Sequence, residues 1–227
     1  MALRLRPPVL AACGLLLAGC AGGAAERRGE PDDLAFFELQ ARLAARAASL
    51  LGRTAELHAG GQRFPADCTG FVEAVYQAEG IPLRELMRRA APEERRGVAA
   101  AFRVVRAYGT VLPRGEWPAP GDLVFWHDTY ERNHNGRADD GLTHVGIVQY
   151  VVDGTVVFIH RGAKAVARGA MDPSRPTEAI VNGIVVNSPI RKRDPRVDGV
   201  PVLAGELFAG YGRIDPRKVP GIDVAAR

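Results

Sequence analysis

The stretch THVGIVQYVVDGTVVFIH, Thr143 to His160, reads as two apolar, β-branched strands joined at Asp153-Gly154. So short a connection leaves no room for a helical crossover, so the two strands must run antiparallel. Further strands follow the same logic. DLVFW, Asp122 to Trp126, comes after the turn PAPG, while AIVNGIVVN, Ala179 to Asn187, and ELFAGYGRI, Glu206 to Ile214, lie downstream. The first half of the chain carries a helical period instead. From Asp33, the residues Phe36, Phe37, Leu43, Ala44, Ala47, Leu50 and Leu51 form a stripe ending near Gly52. A second helix starts at Cys68 and is stopped by Gly80 and Pro82; a third starts after Pro92, with Glu93 and Glu94 in its first turn, and runs to Tyr108. Helices first and hairpin-linked strands afterwards predict an α+β domain, with N-terminal helices packed on an antiparallel sheet.

The hairpin also decides which residues share a face. With a two-residue turn at Asp153-Gly154, Ile147 pairs with His160 and His144 falls on the opposite face. A three-residue loop, Val152-Asp153-Gly154, or an equivalent bulge, pairs His160 with Gly146 instead. His144 and His160 then become diagonal neighbours, with Gly146 leaving space between them. The second arrangement is the one expected here, because it brings two imidazoles together beside a lone thiol.

That thiol is Cys68, in ADCTGFVEAVY, Ala66 to Tyr76. Phe71, Val72 and Val75 follow it on one helical stripe, so the sulfur points with them toward the domain. Its place in the first helical turn, at the positive end of the helix dipole, predicts a lowered thiol pKa, especially beside a protonated imidazole. The nucleophile reading takes Cys68 as attacking group and a histidine as base; an inert buried cysteine is the plain alternative, and zinc held by Cys68, His144 and His160 is a second rival. The spacings follow no zinc pattern, and the reading adopted has no metal and no cofactor.

The chain begins MALRLRPPVLAACGLLLAGC, with Arg4 and Arg6 ahead of an apolar run from Val9 to Ala18 that is too short for a permanent membrane span. This predicts a signal peptide over residues 1–19. LAGC, Leu17 to Cys20, resembles the lipobox of bacterial lipoproteins, which implies acylation of Cys20, a membrane anchor and, with Ala21 following, the periplasmic face of the outer membrane. Cys13 leaves with the signal and Cys20 carries lipid, so Cys68 is the one thiol of the mature domain and no internal disulfide is possible. Residues 20–32 read as a flexible tether. Without Arg4 and Arg6 the chain keeps 28 basic and 26 acidic residues, a net charge of +2 and too small a surplus for nucleic-acid binding. RKRDPR, Arg191 to Arg196, reads as a solvated loop.

With these residues in place, the chain resembles the NlpC family of papain-like cell-wall cysteine peptidases. The matching pieces are DCTGFV at Asp67 to Val72, PGDLVFW at Pro120 to Trp126, THVGIV at Thr143 to Val148 and FIH at Phe158 to His160, in the family's order. The resemblance implies a papain-like fold over residues 33–216, with a tail at 217–227. It implies that Cys68 attacks a scissile carbonyl, His144 shuttles the proton, His160 orients His144, and the Cys68 backbone N–H stabilises the oxyanion. The implied substrate is the stem peptide of peptidoglycan, commonly cut next to diaminopimelate, with Asp67 and Thr69 as substrate-binding residues. Asp67 is equally suited to cap the helix. An amidase cutting the sugar-peptide link, or an inactive cell-wall-binding lipoprotein, are the alternatives. The family's aromatic stretch upstream is replaced by AELHAGGQRF, Ala55 to Phe64, where His58 or Gln62 would have to supply the oxyanion side chain. HDTYERNHNGRADDG, His127 to Gly141, places Glu131, Asn133, Asn135, Gly136 and Asp139 in an EF-hand-like spacing, but Leu142 stands where a bidentate glutamate belongs; it reads as a polar surface insertion.

Overall fold

The computed structural model describes residues 31–135, 137, 139–191 and 200–222. The signal at 1–19, the acylation site Cys20, tether residues 20–30, Gly136, the RKRDPR cluster beyond Arg191 and the last five residues lie outside them. Four helices precede most of the strands: α1 (Pro31–Ser49), α2 (Cys68–Ala78), α3 (Leu83–Ala90) and α4 (Gly97–Tyr108). A small hairpin of β1 (Leu57–Ala59) and β2 (Gln62–Phe64) lies between α1 and α2. Then come β3 (Gly109–Val111), β4 (Leu123–His127), β5 (Leu142–Val152), β6 (Thr155–Arg161), β7 (Val166–Met171), β8 (Ile180–Val181), β9 (Ile184–Val185) and β10 (Phe208–Ile214). Six of these form one sheet in the order β3-β10-β4-β5-β6-β7, antiparallel at every pairing. The α+β class expected from the sequence is the class observed.

Several boundaries differ from expectation for identifiable reasons. Helix α1 starts at Pro31, inside the segment read as tether, because proline at a first helical position loses no needed hydrogen bond. Helix α4 starts at Gly97 and not after Pro92, since Glu94 accepts the Arg96 N–H and side chain and holds 92–96 as a turn. Helix α3 escaped the sequence reading: its apolar face is only Leu83, Leu86 and Met87, too short to register as a period. Residues 179–187 form a two-residue ladder, β8 against β9, and not a strand of the main sheet. The domain also continues past 216, where Val219 is buried in the core and Ile222 packs against it.

The sheet separates two apolar layers. On one face Leu123, Phe125, Val145, Ile147 and Ile159 pack against the helices. On the other, Val124, Trp126, Val148, Val156 and Phe158 pack under the returning segment that carries Ala204 and Leu207, with Trp126 Nε1 donating to the Ala204 carbonyl at 3.0 Å. Alternation along β4, along β6 and along β5 as far as Val148 produces this division.

Candidate active site

Helix α2 begins at Cys68 because Asp67 caps it: with φ −127° and ψ 178°, its Oδ1 accepts the Gly70 N–H at 2.7 Å. Gly70 is required there, since a Cβ would fall 2.1 Å from the Pro65 carbonyl oxygen. The capping role of Asp67 is thus occupied. The Cys68 N–H, in the first turn, has no helical acceptor and is left for another partner.

The hairpin between β5 and β6 closes through two residues, Asp153 (φ 48°) and Gly154 (φ 77°), since Val152 pairs with Thr155. The three-residue loop is therefore not formed. The one-residue offset comes instead from a bulge between Val148 and Tyr150, where Gln149 is the extra residue. Past the bulge Ile147 pairs with Ile159, which sets His160 opposite Gly146. A Cβ on Gly146 would lie 3.3 Å from the His160 Cβ and 3.4 Å from the Trp126 ring, so glycine opens the space between the histidines. His144 Nε2 and His160 Nδ1 meet at 2.7 Å, with the rings nearly perpendicular. Trp126 lies against His144 and Phe158 against His160.

Cys68 meets β5 at Val145, the residue that follows His144. Val148 donates its N–H to Asp122 on the β4 side, so Val145, three residues earlier, points its N–H the other way, toward β6. The β5–β6 ladder ends at Ile147–Ile159, and the Val145 N–H goes to the Cys68 sulfur. Thr69 adds its hydroxyl and its own N–H to the sulfur. The sulfur thus lies against Val145, the residue that follows His144. Buried Arg161 fixes the end of β6, donating to the carbonyls of Thr54 and Gly162.

The electrostatics correct the expected ionisation. Burial pushes the Cys68 thiol up from its ordinary value and the Asp67 carboxylate adds to this, while the Val145 amide and the Thr69 hydroxyl and amide pull it back. Burial also depresses both imidazoles, His144 to about 3, with His160 contributing, and His160 to about 4. A neutral imidazole supplies no charge to lower the thiol, so the resting pair is neutral thiol and neutral base. Alkylation of Cys68 by iodoacetamide is accordingly expected to keep accelerating through pH 9; a plateau below pH 7 would show an ion pair in its place.

The same shifts predict acid sensitivity. A histidine whose folded pKa lies below its unfolded value near 6.5 stabilises the fold fully above that pH, and the contribution is lost as pH falls toward the folded value. Because both rings are partly accessible, their joint contribution is on the order of 2 kcal/mol, lost between about pH 6.5 and 4. Urea melts at pH 7, 5 and 4 should show this loss, and the double variant His144→Gln with His160→Gln should be less steep.

Other expected site residues fall differently. Thr69 is half-buried, touching the sulfur and lying so close to Gly97 that a Cβ there would come within 2.7 Å of its side chain. His58 and Gln62 sit at the tip of the β1–β2 hairpin, where Gly60 packs on Gln77; that is nine residues along α2 from Cys68, about 13 Å, so neither reaches the sulfur. In the 127–141 insertion, Asp139 accepts from the side chains of Asn133 and Asn135, and Asp140 accepts the N–H groups of Arg132 and Asn133. Among the described residues no group of three or more His, Cys, Asp or Glu is placed to hold a metal ion, and no helix is long and apolar enough to cross a membrane. The Val145 amide was missed by sequence reasoning, because a free backbone donor leaves no mark on residue type. Comparison with protein-family models, with curated proteins and with solved structures finds no match to this chain.

Proposed function

We propose that this chain is a papain-like cysteine peptidase of the NlpC type, acylated at Cys20, held to the outer membrane on its periplasmic side, and acting on peptidoglycan stem peptides. The observation that carries the reading is the 2.7 Å contact of His144 Nε2 with His160 Nδ1, one residue from the Val145 amide that holds the Cys68 sulfur. With the His144 Nε2 proton given to His160, His144 Nδ1 is the free base. The Cys68 sulfur adds to the scissile carbonyl carbon as its proton passes to His144. The carbon–nitrogen bond then breaks, and His144 returns the proton to the leaving amine. Water, deprotonated by His144, hydrolyses the thioester and restores the thiol. The Cys68 N–H, at the positive end of α2, faces the developing oxyanion, where a donor typically contributes about 3 kcal/mol. No cofactor takes part in these steps.

The raised thiol pKa favours one second reading, a cell-wall-binding lipoprotein without turnover. Incubating purified sacculi with the wild type and with Cys68→Ala, then weighing the products, separates the possibilities. New stem-peptide fragments from the wild type alone support the peptidase. Free glycan strands with intact peptides would mark an amidase, and unchanged sacculi in both reactions would leave only binding.

A further inference from the structure

Five large apolar side chains left exposed lie toward the end of the sheet opposite the histidines. The β5–β6 turn, Asp153-Gly154, marks that end, and a Cβ on Gly154 would lie 4.0 Å from the Trp117 ring. Trp117 is 52% exposed; Val152 and Tyr150, at 48% and 42%, share a face of β5 just before the turn. Helix α1 brings two more. Just past its C-terminus, Gly52 donates its N–H to the Val166 carbonyl, and Val166 pairs with Arg161 at the histidine end of β6. Nearer its start, a Cβ on Gly121 would fall 2.6 Å from the Gln40 carbonyl oxygen, and the Gly121 N–H goes to the Val148 carbonyl, midway along β5. From Gln40 onward α1 therefore runs toward the histidine end, so Phe37 and Leu34, about one and two turns before Gln40, lie toward the β5–β6 turn. The core does not use them: Phe36, Leu39 and Leu43 form the buried face of α1, whereas Leu34 and Phe37 are 59% and 62% exposed.

The chain enters the described domain at Pro31, about one turn before Leu34. Eleven Cα steps separate Cys20 from Pro31, a reach of at most about 40 Å. An acylated Cys20 thus tethers the domain by the same end that carries the five side chains. Tryptophan and tyrosine, each with an apolar body and one polar atom, favour a membrane–water interface. Attraction to anionic headgroups does not contribute, since Asp33, Glu38, Glu116 and Asp153 adjoin Leu34, Phe37, Trp117 and Val152 in sequence. His144 stands eight residues before Val152 on β5, about 25 Å away.

We propose that this end of the domain docks on the phospholipid bilayer, setting Leu34, Phe37, Trp117, Tyr150 and Val152 into its interface and holding the paired histidines at the far end, away from the lipid. The bilayer as occupant rests on the acylation of Cys20 in the proposed reading, whereas the docking itself requires neither an acyl chain nor turnover. The chain has two tryptophans, and Trp126 is fully buried, so Trp117 reports contact with lipid. Protein expressed from the full-length sequence is reconstituted with phosphatidylcholine vesicles brominated on their acyl chains, recovered by flotation, and compared in fluorescence with unbrominated vesicles. Bromine is expected to remove most of the emission that Trp117→Phe lacks, and an added anionic phospholipid should not strengthen the effect. The pair Phe37→Asp with Val152→Asp, both at exposed positions and with the fold checked by melting, should remain anchored and lose the quenching. Residues 20–227 with Cys20→Ser, which keep every described element, should show the same quenching at higher lipid concentration. Anchored protein without quenching would overturn the docking and spare the acylation. An equal lipid requirement for the full-length and Cys20→Ser chains would refute the acylation and spare the docking. A dimer found by sedimentation without lipid, and dispersed by the paired substitutions, would assign the surface to a second copy and overturn the bilayer.

Discussion

Replacing His144 with glutamine is expected to lower the turnover of stem peptides by about 10⁴-fold with KM within about threefold, on the proposed reading, because the sulfur would lose its only proton acceptor. Glutamine fills similar space and can still meet His160, so the gap at Gly146 and the contact with Trp126 are kept. The effect should be larger here than for a thiolate enzyme. A cysteine already ionised retains part of its nucleophilicity without the base, whereas the Cys68 thiol, raised by burial, is protonated at neutral pH. His160→Gln should cost less, about 10- to 100-fold, since His160 only orients the base. Single-turnover kinetics with a defined tripeptide substrate measure both. Turnover of His144→Gln within tenfold of the wild type would remove His144 from the mechanism.

Arg213→Ala is expected to destabilise the fold by about 3–5 kcal/mol, which in a domain of this size lowers the melting temperature by roughly 10 °C. Its partner Asp122 has a side chain only 1% exposed, and four donors converge on it. Oδ1 accepts from Gln40 Nε2 at 3.0 Å and Arg213 Nε at 2.9 Å; Oδ2 accepts from Arg213 Nη2 and the Ala119 N–H, both at 2.8 Å. Burial pushes this carboxyl's pKa up, opposed chiefly by Arg213. Without the guanidinium, a carboxylate would be left buried and uncompensated. The network also ties α1, β4 and β10 together, and beside it Tyr76 donates to the Gly121 carbonyl at 2.9 Å. Removing both charges, with Asp122→Leu and Arg213→Met, should recover much of the loss, because well-packed apolar groups often replace a buried ion pair at little cost. Denaturant melts of the single and double variants decide it. A double variant no better than Arg213→Ala would mean that packing, and not the unpaired charge, sets the penalty.

The PGDLV stretch carried the Asp122 signal only as a motif, because Gln40 and Arg213 stand 82 and 91 residues away and no local pattern links them. Similarly, α3 was illegible because eight residues give too few turns for a period, and β7 because its VARGAM composition is weakly apolar. The capped start of α2 was legible to the residue, since a side-chain cap and the helix it begins are neighbours in the chain.

The residue order alone determined the antiparallel α+β class, the Asp67 cap and the inward direction of Cys68, for these follow from local periodicity and short-range hydrogen bonds. Two matters were decided only in three dimensions. The bulge at Gln149, and not the turn, brought His160 to the face of His144, because a ladder's register depends on where one residue is left unpaired. The direction in which the thiol pKa moves was decided by burial, whose cost in removing charge from water outweighs the Val145 and Thr69 donors that oppose it.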